Sequence, residues 1–273
     1  MLYDFISESV SLQEQELLED KMVKFGGELS PKFGWCVIYV GGPASGKGSA
    51  TSFLSRLQGR YYNVDDFKEN PNRWNLINPA TERPYKDDFN TPERNRTESN
   101  PEFMGELHGV YKPLTNKLKK HIIDNPEKDF RASDRLPNII FDITGDELRK
   151  LKDIIEPAKE QGYKIAIIWM LSTIEKAIYN NLHRNRKVDN DMLVAKHGDV
   201  INAIEQLFNS DYISKVDDFW VIDTAIEINP KDNPKEYHDA ANVYHIPSTP
   251  DGLQEFEHIA SRIDYNKKTL QKY

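Results

Sequence analysis

Trp35-Cys36-Val37-Ile38-Tyr39-Val40-Gly41-Gly42-Pro43-Ala44-Ser45-Gly46-Lys47-Gly48-Ser49 is the stretch that decides the reading of this chain. An apolar run bounded by glycine reads as a buried strand of a parallel sheet. The residues after it, Ala50, Phe53, Leu54 and Leu57, share one face of a helix that Gly59 stops. Between strand and helix, Gly41 to Lys47 fits G-x-x-x-x-G-K. Glycines at these places let backbone N–H groups turn inward around phosphate oxygens, and the helix N-terminus adds its positive end. Lys47 would reach the outer phosphates, so Gly41, Gly42, Pro43, Ala44, Ser45, Gly46, Lys47, Gly48 and Ser49 form a candidate phosphate-binding loop. The plain alternative is a glycine-rich turn ahead of a helix. Gly48 stands where most such loops place a Mg²⁺-ligating hydroxyl, which leaves Ser49 as the candidate metal ligand.

Outward from this stretch the chain alternates. Tyr61–Val64, Asn138–Asp142, Tyr163–Met170 and Phe219–Ile222 read as further strands. Leu148, Leu151, Ile154, Ile155 and Ala158 form a helical stripe that ends near Gly162, and Ser172-Thr173-Ile174-Glu175 caps another helix. A further helix starts at Asp191, with Leu193, Val194, Val200, Ile201 and Ile204 on its buried side. Strands alternating with helices of this length predict an α/β fold of the P-loop type, three layers (α/β/α) around a mostly parallel sheet. Residues 1–30 are expected to form a helical extension, with Gly26-Gly27 ending its second helix. Residues 31–228 make the main domain, and 229–273 a C-terminal segment packed on it. Residues 69–103 hold five prolines and seven asparagines without periodicity, so they are expected to be an irregular insertion on the acceptor side.

Composition narrows the class. The 273 residues are 38% hydrophobic and 29% charged, as in a globular chain, with a net charge of −8 that disfavours wholesale binding to nucleic-acid backbone. One cysteine, Cys36, excludes a disulfide framework and a cysteine-based zinc module, and fits a reducing compartment. The longest apolar run, Ile165 to Leu171, has seven residues and is too short to span a bilayer. The N-terminus lacks the basic and apolar regions of a secretory signal. The expectation is a cytoplasmic protein with no membrane partner.

Three groups of residues carry chemistry. Asp65 and Asp66 follow the second strand, 18 and 19 residues past Lys47, at the sheet edge where such folds bind ligands. A carboxylate there suits a general base for transfer to a hydroxyl; an Asp-Asp helix cap is the alternative. Asp142 and Thr144 end the third strand at the same edge, with a cap for the following helix as the plain reading. His183, Arg184, Arg186 and Lys187 lie between two helices, as a lid that neutralises a transferring phosphoryl would; a solvated basic helix end is the alternative. In the insertion, Arg73, Arg83, Arg94 and Arg96 interleave with Trp74, Tyr85 and Phe89, a composition that suits stacking on a nucleotide or single strand or a solvated loop.

Gly-Gly-Pro-x-Ser-Gly-Lys-Gly-Ser resembles the loop of nucleoside monophosphate kinases. Asn63-x-Asp65-Asp66-Phe67-Lys68 is similar to the Asp-Asp-Tyr/Phe-Arg/Lys segment of bacteriophage polynucleotide kinase and to the Asp-x-Asp-x-Phe-Lys segment of zeta toxins, which phosphorylate UDP-N-acetylglucosamine. Both comparisons place the catalytic base on Asp65, with Asp66 as fallback on the acceptor side. Phe141-Asp142-Ile143-Thr144-Gly145 is similar to segments of both families that contact acceptor or reacting groups. Asp146 departs from zeta toxins, which carry a substrate-binding arginine there. The lid arginines of the two families correspond to Arg184 and Arg186, and Glu106–Lys112 resembles a helical stretch of zeta toxins that brings His108 toward the acceptor. The resemblance covers roughly residues 34–225. It implies an enzyme, a kinase that uses Mg²⁺ with ATP or GTP to phosphorylate a hydroxyl of a nucleotide-sugar, nucleoside or nucleic-acid end, with an antitoxin-like protein as partner. A nucleoside monophosphate kinase and a non-catalytic nucleotide-binding protein are the alternatives.

Overall fold

The computed structural model describes residues 34–50, 59–63, 138–184, 187–226 and 240–262, the pairs 24–25, 28–29, 77–78 and 83–84, and positions 105, 108, 109, 112, 116, 120, 123, 136 and 236. Six strands form one sheet: β1 (Trp35–Val40), β2 (Gly59–Asn63), β3 (Asn138–Asp142), β4 (Lys164–Leu171), β5 (Asp218–Asp223) and β6 (Asn242–Ile246). Their order is β6-β5-β4-β1-β3-β2. All neighbours are parallel except β6, which runs antiparallel to β5. The helices that frame the sheet are α1 (Lys47–Ala50), α2 (Leu148–Glu160), α3 (Ile174–Leu182), α4 (Asn190–Phe208) and α5 (Gly252–Arg262).

Period-two alternation sorts the strand residues onto two buried faces. Cys36, Ile38 and Val40 of β1, with Ile165, Ile167, Trp169 and Leu171 of β4, pack against α2, α4 and α5. Trp35, Val37 and Tyr39, with Ala166, Ile168 and Met170, line the other face. Burial on both faces is what a parallel sheet requires, and it explains why these strands are near-continuous apolar runs. Trp169 is fully buried and packs on Phe256 of α5 with ring centroids 4.6 Å apart. Truncating it to alanine would cost about 3–5 kcal/mol.

The order of strands puts β1 in the middle, with β3 on one side and β4 on the other. The carboxyl end of β1 is therefore the topological switch point, the place where folds of this kind bind ligands. The loop from Gly41 to Gly46 occupies that place.

Several expectations are corrected. Within residues 1–30, Lys24–Phe25 pairs antiparallel with Glu28–Leu29 as a two-stranded ribbon rather than a helix. Two strands separated by Gly-Gly have the spacing of a tight hairpin. Inside 69–103, Ile77–Asn78 pairs with Arg83–Pro84, so that stretch is not wholly irregular. Helix α4 starts one residue earlier than expected because Asp189 caps it, accepting from Met192 N at 3.0 Å. β2 begins at Gly59, two residues before the expected Tyr61, and the helix that Gly59 was expected to stop lies outside the described residues. The remainder of residues 1–30, most of 69–103, and residues 51–58 lie outside the described residues.

Candidate functional site

The loop between β1 and α1 is held by its carbonyls. Pro43 O accepts from Nε2 of His197 on α4 at 2.9 Å. Ala44 O accepts from Nδ2 of Asn180 on α3 at 3.1 Å. Ser45 O lies 2.7 Å from the hydroxyl of Thr224, which follows β5; the same hydroxyl is 2.8 Å from Leu171 O, so its one proton serves one of them at a time. Three consecutive carbonyls are thus tied outward by three different elements. Ser45 N donates back to Gly42 O at 3.3 Å, while the N–H groups of Ala44 and Gly46 meet no acceptor among the described residues.

Local conformation produces this arrangement. Gly46 has φ +88°, a value that favours glycine, and Ala44 has φ +60°. A left-handed alanine costs roughly 1–2 kcal/mol, and such strain persists only where the surroundings impose it. Here the Asn180 amide on the Ala44 carbonyl supplies that hold. Gly42 answers a different demand: a Cβ at this position would overlap the His197 ring. Lys47, at the first position of α1, folds back so that Nζ donates to Gly41 O at 2.6 Å and Gly42 O at 3.1 Å. Its charge therefore sits at the mouth of the loop. A Cβ on Gly48 would meet no atom of the described residues within 4 Å.

His197 is fully buried, and burial pushes its imidazole down to about 4, with the charge of Lys47 adding and the Pro43 carbonyl opposing. A neutral ring bonded to a carbonyl must carry its proton on Nε2.

The carboxyl end of β3 lies alongside. Asp142 ends β3, opposite Tyr39 of β1 and Asn63 of β2, and is nearly buried. Beyond it the chain stays on β1: Ile143 N donates to Tyr39 O and Gly41 N donates to Thr144 O, both at 3.1 Å. The structure thus brings Asp142 and Thr144 to the start of the phosphate loop. Asp146 leaves this edge buried and paired, 2.6 Å from Lys150 Nζ of α2 and 2.5 Å from Lys196 Nζ of α4. Burial pushes its carboxyl up, but hydrogen bonds and charge from the two lysines outweigh that and hold it below the usual value. Asp146 thereby fastens α2 to α4.

Arg184 follows α3, its Nε and Nη2 donating to Asn181 Oδ1 at 3.1 and 2.9 Å. Asn181 is buried and also closes the connection to α4: its Oδ1 accepts from Val188 N at 3.0 Å and its Nδ2 donates to Val188 O at 2.6 Å. Asn180 and Asn181 are neighbours, so one turn of α3 holds both the phosphate loop and the basic segment.

His108 is helical and exposed. Asp65, Asp66 and Arg186, and the side chain of Ser49, lie outside the described residues. Asn63, two residues before Asp65, ends β2 opposite Asp142. Sequence reasoning missed His197, Asn180, Asn181 and Thr224. A signal existed for one of them: His197 falls four residues after Leu193 and four before Ile201, on the buried stripe of α4, where a polar ring needs a partner.

The fold and this loop define a P-loop α/β protein. No protein-family model matches the chain, and no curated protein matches it. Among solved structures it is similar to an AvrRxo1-ORF1:AvrRxo1-ORF2 complex with sulphate ions, at 12% identity over 97% of this chain and 91% of that chain, TM-score 0.48. It is also similar to a structure of the PezAT chromosomal toxin–antitoxin system of Streptococcus pneumoniae, at 13% identity over 84% of this chain and 80% of that chain, TM-score 0.47. A third is an AvrRxo1-ORF1:-ORF2 complex with ATP, at 12% identity over 88% of this chain and 76% of that chain, TM-score 0.45. Among the described residues no helix is long and apolar enough to cross a membrane.

Proposed function

We propose that this chain is a nucleoside-triphosphate-dependent kinase that transfers the γ-phosphoryl group to a hydroxyl. The observation that carries the reading is the loop itself: three carbonyls tied by side chains of other elements, the Ala44 and Gly46 amides without an acceptor among the described residues, and Lys47 at its mouth. That arrangement suits the β- and γ-phosphates of a nucleotide. Its place beside Asp142 and Thr144 supports a second substrate at the same edge.

In this reading Lys47 and the loop amides hold and orient the donor. Asp65, with Asp66 as fallback, takes the proton of the acceptor hydroxyl, and Asp142, Thr144 and His108 contact the acceptor. Arg184 and Arg186 lie over the transferring group, where a guanidinium neutralises charge spread over its oxygens. Mg²⁺ is commonly held by one or two protein oxygens together with substrate phosphates. Ser49, in the first turn of α1, fits that need and would hold the ion, which neutralises phosphate charge when bound. The resemblance to zeta toxins supports an antitoxin-like partner.

A nucleoside monophosphate kinase is favoured by one observation, the Gly48-Ser49 order after Lys47. Its acceptor is a phosphate, which needs arginines rather than an aspartate base, so Asp65 speaks against it. Incubation with labelled ATP and GTP against panels of UDP-sugars, nucleosides, nucleoside monophosphates and 5′-hydroxyl oligonucleotides separates these readings by which compound takes the label. Label on none of them, with nucleotide bound, would favour a non-catalytic binding protein.

A further inference from the structure

We infer that His197, with Asn180 and Thr224, is a positioning residue of the nucleotide site: the three side chains hold the Pro43, Ala44 and Ser45 carbonyls, so the Ala44 and Gly46 amides face a polyphosphate before it arrives. This rests on the nucleotide reading above and deepens it. The three donors come from α3, α4 and the end of β5, 136, 154 and 179 residues from their acceptors. No local turn preference dictates such a set.

The chemistry of the donors fits the task. All three are neutral, an amide, an imidazole and a hydroxyl, so none competes with Lys47 for an anion. A histidine is not what packing alone would select at this place. Leu193, Val200, Ile201 and Ile204 fill the rest of the α4 stripe, and an apolar side chain would continue it. The ring instead supplies an N–H that reaches Pro43 O, and Gly42 lacks the Cβ that would collide with it. Each peptide whose carbonyl is held outward has its N–H on the opposite side, because the peptide unit is planar and trans. Bracing the carbonyls of Pro43 and Ser45 therefore aims the N–H groups of Ala44 and Gly46.

Hydrogen exchange and nucleotide binding on the full-length chain test this. The variants are His197→Phe, which keeps a ring and removes the donor, His197→Gln, which restores a donor, and Asn180→Ala. In His197→Phe, amides of residues 41–48 should exchange several-fold faster while those of β4 stay unchanged, and the affinity for a fluorescent N-methylanthraniloyl ATP should fall about tenfold, the size of one neutral hydrogen bond. His197→Gln should recover most of both. Loop exchange and affinity equal to the parent in His197→Phe would overturn the inference. So would equal damage in both variants with faster exchange in β4, the mark of a packing residue. If His197→Phe does not fold, Asn180→Ala decides by the same two readouts. A parent that binds no ATP analogue, with loop exchange still responding to the variants, overturns the nucleotide reading and upholds the bracing.

Discussion

His197 and Gly42 share one small volume: the imidazole of α4 lies where a Cβ on Gly42 would stand, and its Nε2 donates to the next residue's carbonyl, Pro43 O, at 2.9 Å. A helix residue 154 positions downstream of Pro43 thereby shapes the loop that follows the first strand of the sheet, and its grip depends on a neutral ring.

That dependence sets a pH response. The folded imidazole titrates at about 4 against 6.5 for an ordinary histidine. Between those values the unfolded chain binds a proton that the folded chain refuses, so stability falls as pH drops, by up to about 3 kcal/mol. Urea midpoints measured from pH 7 to pH 4.5 should slope downward in the parent and flatten in His197→Gln. Asp146, whose folded pKa is lowered from 3.8, acts in a separate window: its contribution is present above 3.8 and is lost as pH falls below it. Equal slopes in parent and variant would show that His197 is not the group responsible.

Two glycines of the loop should behave oppositely. Gly42→Ala forces a methyl into the His197 ring, an overpacking that costs about 1–3 kcal/mol and displaces the loop. No described residue lies within 4 Å of a Cβ on Gly48, so Gly48→Ser should fold with little change in melting temperature and places a hydroxyl directly after Lys47. Comparing nucleotide affinity with and without Mg²⁺ in Gly48→Ser and Ser49→Ala tells which position serves the metal. A Gly42→Ala variant with parental affinity would contradict the close approach described.

Lys47→Ala should abolish phosphoryl transfer while the fold survives, because Nζ meets loop carbonyls rather than apolar core. Circular dichroism and a melting curve establish the fold, and label transfer reads the activity. Near-parental transfer would remove the basis for the phosphate loop.

For the proton acceptor, Asp65→Asn should lower turnover about 10²- to 10⁴-fold, the range for a lost general base, with nucleotide affinity little changed. Loss from Asp66→Asn with none from Asp65→Asn would move the role to the neighbour.

The basic segment offers a test of Arg184 and of its support. Arg184→Ala or Arg186→Ala should reduce turnover far more than nucleotide binding, and lysine should rescue only in part, since an ammonium lacks the planar fork. Asn181→Leu should mimic the Arg184 defect, because Asn181 Oδ1 accepts from both Nε and Nη2. Parental turnover in all of these variants would make residues 182–191 an ordinary helix junction.

The strands β1 and β3, the helix α2 and the loop between β1 and α1 could be read from residues 35–49 and 138–160 because local chemistry dictates them. Period two and period 3.6 write burial into the order of residues, and G-x-x-x-x-G-K writes a turn. The strand β6 could not be read so. Its residues Asn242 to His245 are exposed or half-buried, so its only regular feature is the ladder it makes with β5. Nor could the braces. His197, Asn180 and Thr224 look unremarkable in sequence, and they become a set only when α3, α4 and β5 pack around the end of β1. The chain by itself determined that a strand, a phosphate-type loop and a helix follow one another. Tertiary packing decided which way that loop's peptides face, because hydrogen bonds across more than a hundred residues depend on the assembled sheet and not on any local preference.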